Sequence, residues 1–319
     1  MNCIALEEYY TQCSPNAGRA SKEVHQAQEP VVLESSAVPV SSIAVRLVVN
    51  ADGFGMTPAR SKGILVAHRS GIVTSTSVLG NAADLQAIKA DLDQASGLGV
   101  GAQLTLVGGI PVTAPEAIPS LTGPDGEFPR EPRDVLWAWA KATLRASDVE
   151  REFDAQVARL RDMGLRIDHL CTKDHLGFLP IIAHAMENVA RRHGIAGLRM
   201  AIEKPTLAWT AELPRALTLS ALTGLAWISR RRLGVRRHGP QTWGYFESGR
   251  LDEVRILEIL GRLGPGSHEL ICQPDAITDG DAGTRNSQPR SEVQALASVR
   301  VREAIQRRGI ELCRWSDLF

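Results

Sequence analysis

The chain contains little from which to build a covalent or metal framework. Its five cysteines are odd in number and widely spaced, so they form neither a disulfide framework nor a CxxC zinc pattern, and a reducing compartment fits best. No apolar run reaches membrane-spanning length, and no basic-then-apolar signal layout opens the sequence, so we expect a cytoplasmic protein. The formal net charge is zero, and no nucleic-acid partner is therefore expected.

The composition is that of a globular protein, with 44% hydrophobic and 23% charged residues in 319. Residues 1–42 are polar and without periodicity, which predicts a mobile N-terminal tail. Over 43–319, strand-like and helix-like stretches alternate, which predicts one α/β domain with a parallel sheet or barrel. Two segments interrupt this rhythm: a Gly- and Pro-rich loop at 107–132 and an insertion at 201–245.

Period and length of the apolar stretches predict the elements. The predicted strands are Ile43–Ala51, Ile72–Leu79, Gly99–Leu106, Leu165–Leu170, Ala196–Met200, Ser267–Cys272 and Ile310–Cys313. The predicted helices are Pro58–Ser70, Ala82–Ala95, Val149–Met163, Pro180–His193, Leu251–Leu263 and Ser291–Arg308.

The first strand ends in an acid followed by glycines, Asp52-Gly53-Phe54-Gly55. A carboxylate at the carboxyl end of a buried strand is where α/β and barrel enzymes commonly place catalytic groups. The alternative is that Asp52 caps the next helix, which begins near Thr57.

Four strand-end stretches together resemble the YdjC-like carbohydrate deacetylases, and the hopanoid-associated HpnK branch in particular. They are Asn50–Gly55, Gly101–Leu106, Asp168–His175 and Glu269–Pro274. The resemblance spans roughly residues 44–319. It implies an irregular (β/α) barrel of the YdjC/NodB-like deacetylase type. It also implies hydrolysis of an N-acetyl group by water bound to a divalent metal such as Mg or Zn, held by one acid and two histidines.

Carried over residue by residue, the resemblance exposes several substitutions. The metal-binding acid of the family corresponds to Gly53, and the two ligand histidines correspond to Gln103 and Lys173. The histidine that acts on the leaving amine corresponds to Gln273, and the last histidine of the His-rich turn to Gly177. Glycine offers no donor atom, and a protonated lysine repels a cation. We therefore expect no metal cofactor at the family site.

Three candidate catalytic residues remain: Asp52 as base, Arg199 and His175. The favoured interpretation of Asp52 is a structural ion pair with Lys173 across the barrel mouth. Arg199 corresponds to a family arginine at the end of a short strand, and either orients Asp52 through a fork-like contact or is a solvated strand end.

Three further hypotheses are less favoured. The first is a relocated metal site of His169, Asp174 and His175. The second is a nucleophilic Cys171 or Cys272, although buried cysteines are usually inert. The third is peripheral membrane contact through 217–237, where an apolar stretch runs into an arginine cluster; a packed helix with a solvated basic end is favoured there.

Two functions follow. The first is a carbohydrate deacetylase family protein acting on an amino sugar or glycolipid-like substrate, catalytically impaired by the replaced ligands. The alternative is a non-catalytic pseudoenzyme that binds a sugar, a lipid-linked ligand or a protein in the same cleft.

Overall fold

The computed structural model describes residues 44–200, 224, 239–245, 251–276 and 289–319. All of them lie in one compact unit, Ser42–Phe319. The predicted tail at 1–42 lies outside the described residues, as does the segment 217–237 apart from residue 224. In the part of the chain that is described, no helix combines the length and apolar character needed to cross a bilayer.

Eight strands in the described residues form one all-parallel sheet, in the order β5-β4-β3-β2-β1-β7-β6, with β8 paired to β1. Parallel strands joined through helices define a (β/α) barrel-type fold, which confirms the predicted fold class. The strands are β1 Val45–Phe54, β2 Ser75–Leu79, β3 Gly99–Leu104, β4 His169–Thr172, β5 Gly197–Leu198, β6 Gln241–Trp243, β7 Gly266–Cys272 and β8 Glu311–Leu312.

The helices of the described residues connect these strands. Three short 3-10 helices, Pro115–Ala117, Lys173–Phe178 and Trp315–Leu318, accompany them. The α-helices are α1 Pro58–Ser70, α2 Leu85–Asp93, α3 Pro132–Ala140, α4 Ala146–Asp162, α5 Pro180–Arg192, α6 Glu253–Arg262, α7 Pro289–Leu296 and α8 Val299–Arg307.

Local capping sets where α1 begins. The Thr57 hydroxyl accepts a hydrogen bond from the Arg60 amide, and Pro58 occupies the first helical position. The interpretation of Asp52 as the cap of this helix is therefore wrong, since Thr57 performs that function. The predicted bounds of α1 match those observed.

Several elements differ from the prediction. Strand β4, predicted over Leu165–Leu170, is observed at His169–Thr172. The stretch predicted as one helix, Ser291–Arg308, is two helices, because Ser298 has an extended backbone and its hydroxyl caps α8 at the Arg300 amide. Helix α3 follows the 107–132 loop and was not predicted. Strand β6 lies within the predicted insertion at 201–245 and pairs with β7.

Side chains along β1 alternate between the two faces of the strand, and the two faces have different surroundings. Leu47, Val49 and Ala51 belong to the large apolar cluster, whereas Val48 packs with Trp315 in a second, small cluster. Because side chains alternate along a strand, Asn50 and Asp52 share the face of Val48. This face carries the polar residues of the site.

Candidate functional site

A buried ion pair joins β1 to the residue that follows β5. Arg199 Nη1 donates to Asp52 Oδ1 at 2.8 Å and Nη2 donates to Oδ2 at 2.5 Å, a bidentate fork. Asp52 is 1% exposed and Arg199 3% exposed. The sequence-predicted alternative of a solvated strand end for Arg199 is therefore wrong, and the fork-like contact is present.

A second carboxyl group shares the same arginine. Glu269 Oε1, on β7, accepts from Arg199 Nη1 at 3.2 Å and from the Trp315 indole N–H at 3.2 Å. Its other oxygen, Oε2, is buried and has no hydrogen-bond partner among the residues that the structure describes. Burial raises the pKa of Glu269 more than the nearby Arg199 charge lowers it.

The pKa values of the two carboxyl groups are consequently shifted in opposite directions. Burial alone would raise the pKa of Asp52, but the charge and hydrogen bonds of Arg199 outweigh it and bring that pKa below its ordinary value. Asp52 is therefore ionised at neutral pH. An ionised, oriented carboxylate can accept a proton, although a low pKa makes it a weak base.

Asp52 also ends a chain of buried hydrogen bonds. The Asn50 amide donates to Asp52 Oδ1 at 2.8 Å and to the Ser77 hydroxyl oxygen at 2.9 Å. Ser77 Oγ lies 2.9 Å from His169 Nε2, and His169 Nδ1 lies 2.6 Å from Asp168 Oδ1. Since the aspartate only accepts, His169 donates through Nδ1 and accepts the Ser77 proton at Nε2.

Sequence reasoning missed four members of this network: Asn50, Ser77, Glu269 and Trp315. Two of them carried a sequence signal. Asn50 precedes Asp52 by two positions on β1, the spacing of residues on one face of a strand. Glu269 lies on β7, which pairs with β1 along seven residues. Trp315 follows β8 and gave no motif.

Lys173 does not reach Asp52. Its ammonium donates to the Val107 carbonyl at 2.9 Å, in the long loop after β3. The predicted ion pair between Asp52 and Lys173 is wrong, because Arg199 occupies both carboxylate oxygens and Lys173 begins a 3-10 turn that directs its side chain to the loop. Gln103, at the end of β3, is buried, and its Oε1 has no hydrogen-bond partner within the described part of the chain.

An arginine that sequence reasoning missed lies beside Gly53. A Cβ built on Gly53 would be 3.7 Å from Arg60 Nη1. Arg60 donates to both carboxylate oxygens of Asp275, at 2.5 and 2.7 Å, and to Gln273 Oε1 at 3.2 Å. Two of the substituted family positions, Gly53 and Gln273, therefore adjoin one guanidinium group.

His175 lies near the ion pair on a turn with unusual backbone angles. Asp174 and His175 both have positive φ, 54° and 56°, which only a few per cent of non-glycine residues adopt. The His175 and Tyr245 rings pack edge-on, with their centroids 4.2 Å apart. Burial, assisted by the Arg199 charge, lowers the pKa of His175 to about 4. His175 is therefore neutral at neutral pH; its catalytic role stays a prediction.

The lowered pKa of His175 predicts a stability loss in acid. Between the unfolded pKa near 6.5 and the folded value, the unfolded state binds more protons, so stability falls as pH falls. Replacing His175 with Asn, which tolerates positive φ, removes this dependence. We expect the wild type to lose about 2 kcal/mol more than His175→Asn between pH 7 and pH 4, after allowance for the partial exposure of the ring. Urea unfolding at each pH gives the free energy of unfolding of both proteins. If the two free energies fell in parallel with pH, the lowered pKa of His175 would be contradicted.

The residues of the cleft do not fit the divalent metal that the resemblance implies. Gly53 offers no donor, Lys173 is bound to a backbone carbonyl, and Gln273 accepts from Arg60. Among the described residues, no group of three His, Cys, Asp or Glu side chains is arranged to share a metal ion.

The less favoured site hypotheses also lack the required geometry. His169 directs both ring nitrogens to protein groups and stacks on Trp315 at 4.8 Å, so it does not join Asp174 and His175 as a ligand. Burial raises the pKa of Cys171 to about 12, and burial raises that of Cys272 as well. Both thiols are therefore protonated at neutral pH, which is the inert state of a buried cysteine.

Comparisons with known proteins agree with this architecture. A carbohydrate deacetylase of Listeria monocytogenes is 32% identical over 152 residues, which are 48% of this chain and 60% of that protein. The chain thus matches less than two thirds of that relative's length. A chitooligosaccharide deacetylase of Yersinia pestis is 27% identical over 276 residues, 85% of this chain and 98% of that protein.

A solved structure supports the fold. The proposed cellobiose-phosphate cleavage protein of Enterococcus faecalis superposes on this chain with a TM-score of 0.67 at 24% sequence identity. The superposition covers 86% of this chain and 99% of the Enterococcus faecalis chain. The parallel sheet with a polar site at its strand ends defines an α/β barrel protein. The family model described as YdjC-like protein matches residues 46–307. The chain therefore belongs to the YdjC-like protein family.

Proposed function

We propose that this chain is a carbohydrate deacetylase family protein in which metal-dependent removal of an N-acetyl group is lost or strongly impaired. Its cleft binds an amino sugar or a glycolipid-like ligand. The observation that carries the proposal is the side-chain chemistry around Asp52. The positions of the family's metal ligands hold Gly53, Gln103 and Lys173, and a guanidinium lies beside Gly53.

The ligand class is supported by the relatives, which are named for carbohydrate and chitooligosaccharide deacetylation. The cleft retains Asp52 in an ionised, oriented state beside Arg199. It also holds the buried amide oxygen of Gln103, to which no group in the described ranges donates a hydrogen bond. Hydroxyl and amide N–H groups of an N-acetylated sugar are donors of the kind that such an acceptor needs.

Loss of hydrolysis is tested on the full chain. The protein is incubated with Zn²⁺, Mg²⁺ or Mn²⁺, dialysed, and analysed for bound metal by mass spectrometry; acetate release from N-acetylglucosamine oligomers is then measured. We expect substoichiometric metal and acetate release at the rate of the buffer blank. The chitooligosaccharide deacetylase of Yersinia pestis serves as the positive control. Stoichiometric metal with chelator-sensitive turnover would overturn the proposed loss.

Ligand binding is tested separately by calorimetry with the same oligomers. Saturable binding without acetate release supports a non-catalytic binding protein. Absence of binding would remove the carbohydrate part of the proposal while leaving the loss of hydrolysis in place.

A further inference from the structure

We infer that the Arg60 guanidinium takes the place of a divalent metal ion in this cleft. It donates hydrogen bonds to a set of oxygen atoms that would otherwise attract such an ion. The inference deepens the proposed loss of metal-dependent hydrolysis and rests on that proposal only for its functional consequence.

Every protein group that accepts from the Arg60 guanidinium does so through oxygen. The acceptors are the two Asp275 carboxylate oxygens, Gln273 Oε1 and, at 3.5 Å, the Asp52 backbone carbonyl. A carboxylate, an amide oxygen and a backbone carbonyl are the ligand types of hard cations such as Mg²⁺, Mn²⁺ and Ca²⁺. A guanidinium placed among them satisfies the same oxygens with hydrogen bonds.

The backbone of the segment that carries Gln273 and Asp275 is held in place by contacts other than Arg60. The Ala276 amide donates to the Ala59 carbonyl at 2.9 Å, and the Gln273 amide donates to Glu292 Oε1 at 2.7 Å. The Pro274 carbonyl packs so closely on Gly63 of α1 that a Cβ there would approach it to 2.4 Å. The backbone of segment 273–276 is thus held on α1, and we expect the Gln273 and Asp275 side chains to stay at this site when Arg60 is replaced.

Arg60 itself is positioned by the helix start. It lies in the first turn of α1, where its amide donates to the capping Thr57 hydroxyl, and its side chain is 13% exposed. Gly53 leaves room for it: the nearest Arg60 atoms lie 3.7 Å from the ideal Cβ position. A carboxylate at position 53 would compete with Asp275 for the same guanidinium.

Replacing Arg60 with alanine tests the inference. The Arg60→Ala variant exposes Asp275 and Gln273 to solvent ions, and we expect its affinity for Mn²⁺ to exceed that of the wild type by about tenfold, because a repelling charge is lost and a carboxylate is freed. Electron paramagnetic resonance of free Mn²⁺ measures the binding, and a Mn²⁺-dependent rise in Tm confirms that the folded state binds it. Circular dichroism verifies that each variant is folded.

Two control variants distinguish charge from general effects. Arg60→Lys keeps a positive charge and is expected to bind no more Mn²⁺ than the wild type. Arg69→Ala removes an exposed arginine from the same helix and is expected to behave as the wild type does. The inference is overturned by folded Arg60→Ala with wild-type Mn²⁺ affinity, or by an equal gain in either control. Neither result would alter the outcome of the acetate-release assay.

Discussion

Replacing Arg199 with methionine is expected to lower the free energy of unfolding by about 3–5 kcal/mol, the cost of breaking a buried pair by removing one partner. Arg199 neutralises Asp52 and hydrogen-bonds Glu269, and all three side chains are almost wholly buried. Without the guanidinium, Asp52 remains as an uncompensated charge inside the barrel, and methionine supplies volume but no donor. Urea unfolding monitored by circular dichroism gives the difference.

Two companion variants identify the cause. The double variant Arg199→Met with Asp52→Asn also removes the uncompensated carboxylate charge. Its loss in free energy of unfolding should be smaller than the sum of the losses in the two single variants, since the partners are coupled. Arg192→Met removes an arginine whose side chain is 50% exposed while paired with Glu150, and it should cost less than about 1 kcal/mol. If Arg199→Met lowered the free energy of unfolding by no more than Arg192→Met does, the buried ion pair would be contradicted.

Replacing Gly101 with alanine is the second large expected loss, about 3 kcal/mol. A Cβ at Gly101 would approach three His169 ring atoms to 2.2–2.4 Å. That ring cannot move aside without losing its contacts, because Ser77 and Asp168 hold its two nitrogens and Trp315 stacks on its face. Accommodating the methyl group therefore requires breaking the buried chain that leads to Asp52. Urea unfolding measures the loss, and the near-ultraviolet circular dichroism of Trp315 reports the displaced ring.

The same chemical change elsewhere supplies the control. Gly261 lies inside α6, where nothing lies within 4 Å of an added Cβ. Gly261→Ala should stabilise the protein by about 0.5–1 kcal/mol, since alanine favours the helix. A Gly101→Ala variant as stable as the wild type would show that His169 is free to move.

Much of the architecture could be predicted from the sequence, because its signals are local. The apolar run of β1 and the capping pattern Thr57-Pro58 placed the first strand and α1. The strand-end position of Asp52 indicated a site at the carboxyl edge of the sheet. By contrast, β6 has three residues, and only two residues, Ala297 and the capping Ser298, separate α7 from α8. Such signals are too short for periodicity to resolve.

The partners of the site residues were less predictable. Asp52 is paired with Arg199, 147 positions away, and Arg60 with Gln273, 213 positions away. Lys173 looked like the partner of Asp52 because both match strand-end positions. Its 3-10 turn, with two left-handed residues at Asp174 and His175, places its ammonium on the loop carbonyl of Val107 instead.

The sequence by itself determined the family and the fold class, and it predicts the replacement of the metal-ligand side chains, because each depends on residue type and order. Only the tertiary structure decided which cation faces which carboxylate. Arg199 follows β5, which three strands separate from β1, and it reaches Asp52 and Glu269 across the interior face of the sheet. The packing of segment 273–276 on α1 brings Asp275 to Arg60. Those pairings depend on side-chain direction at the strand ends, where a change of one residue or one turn moves a charged group to a different partner.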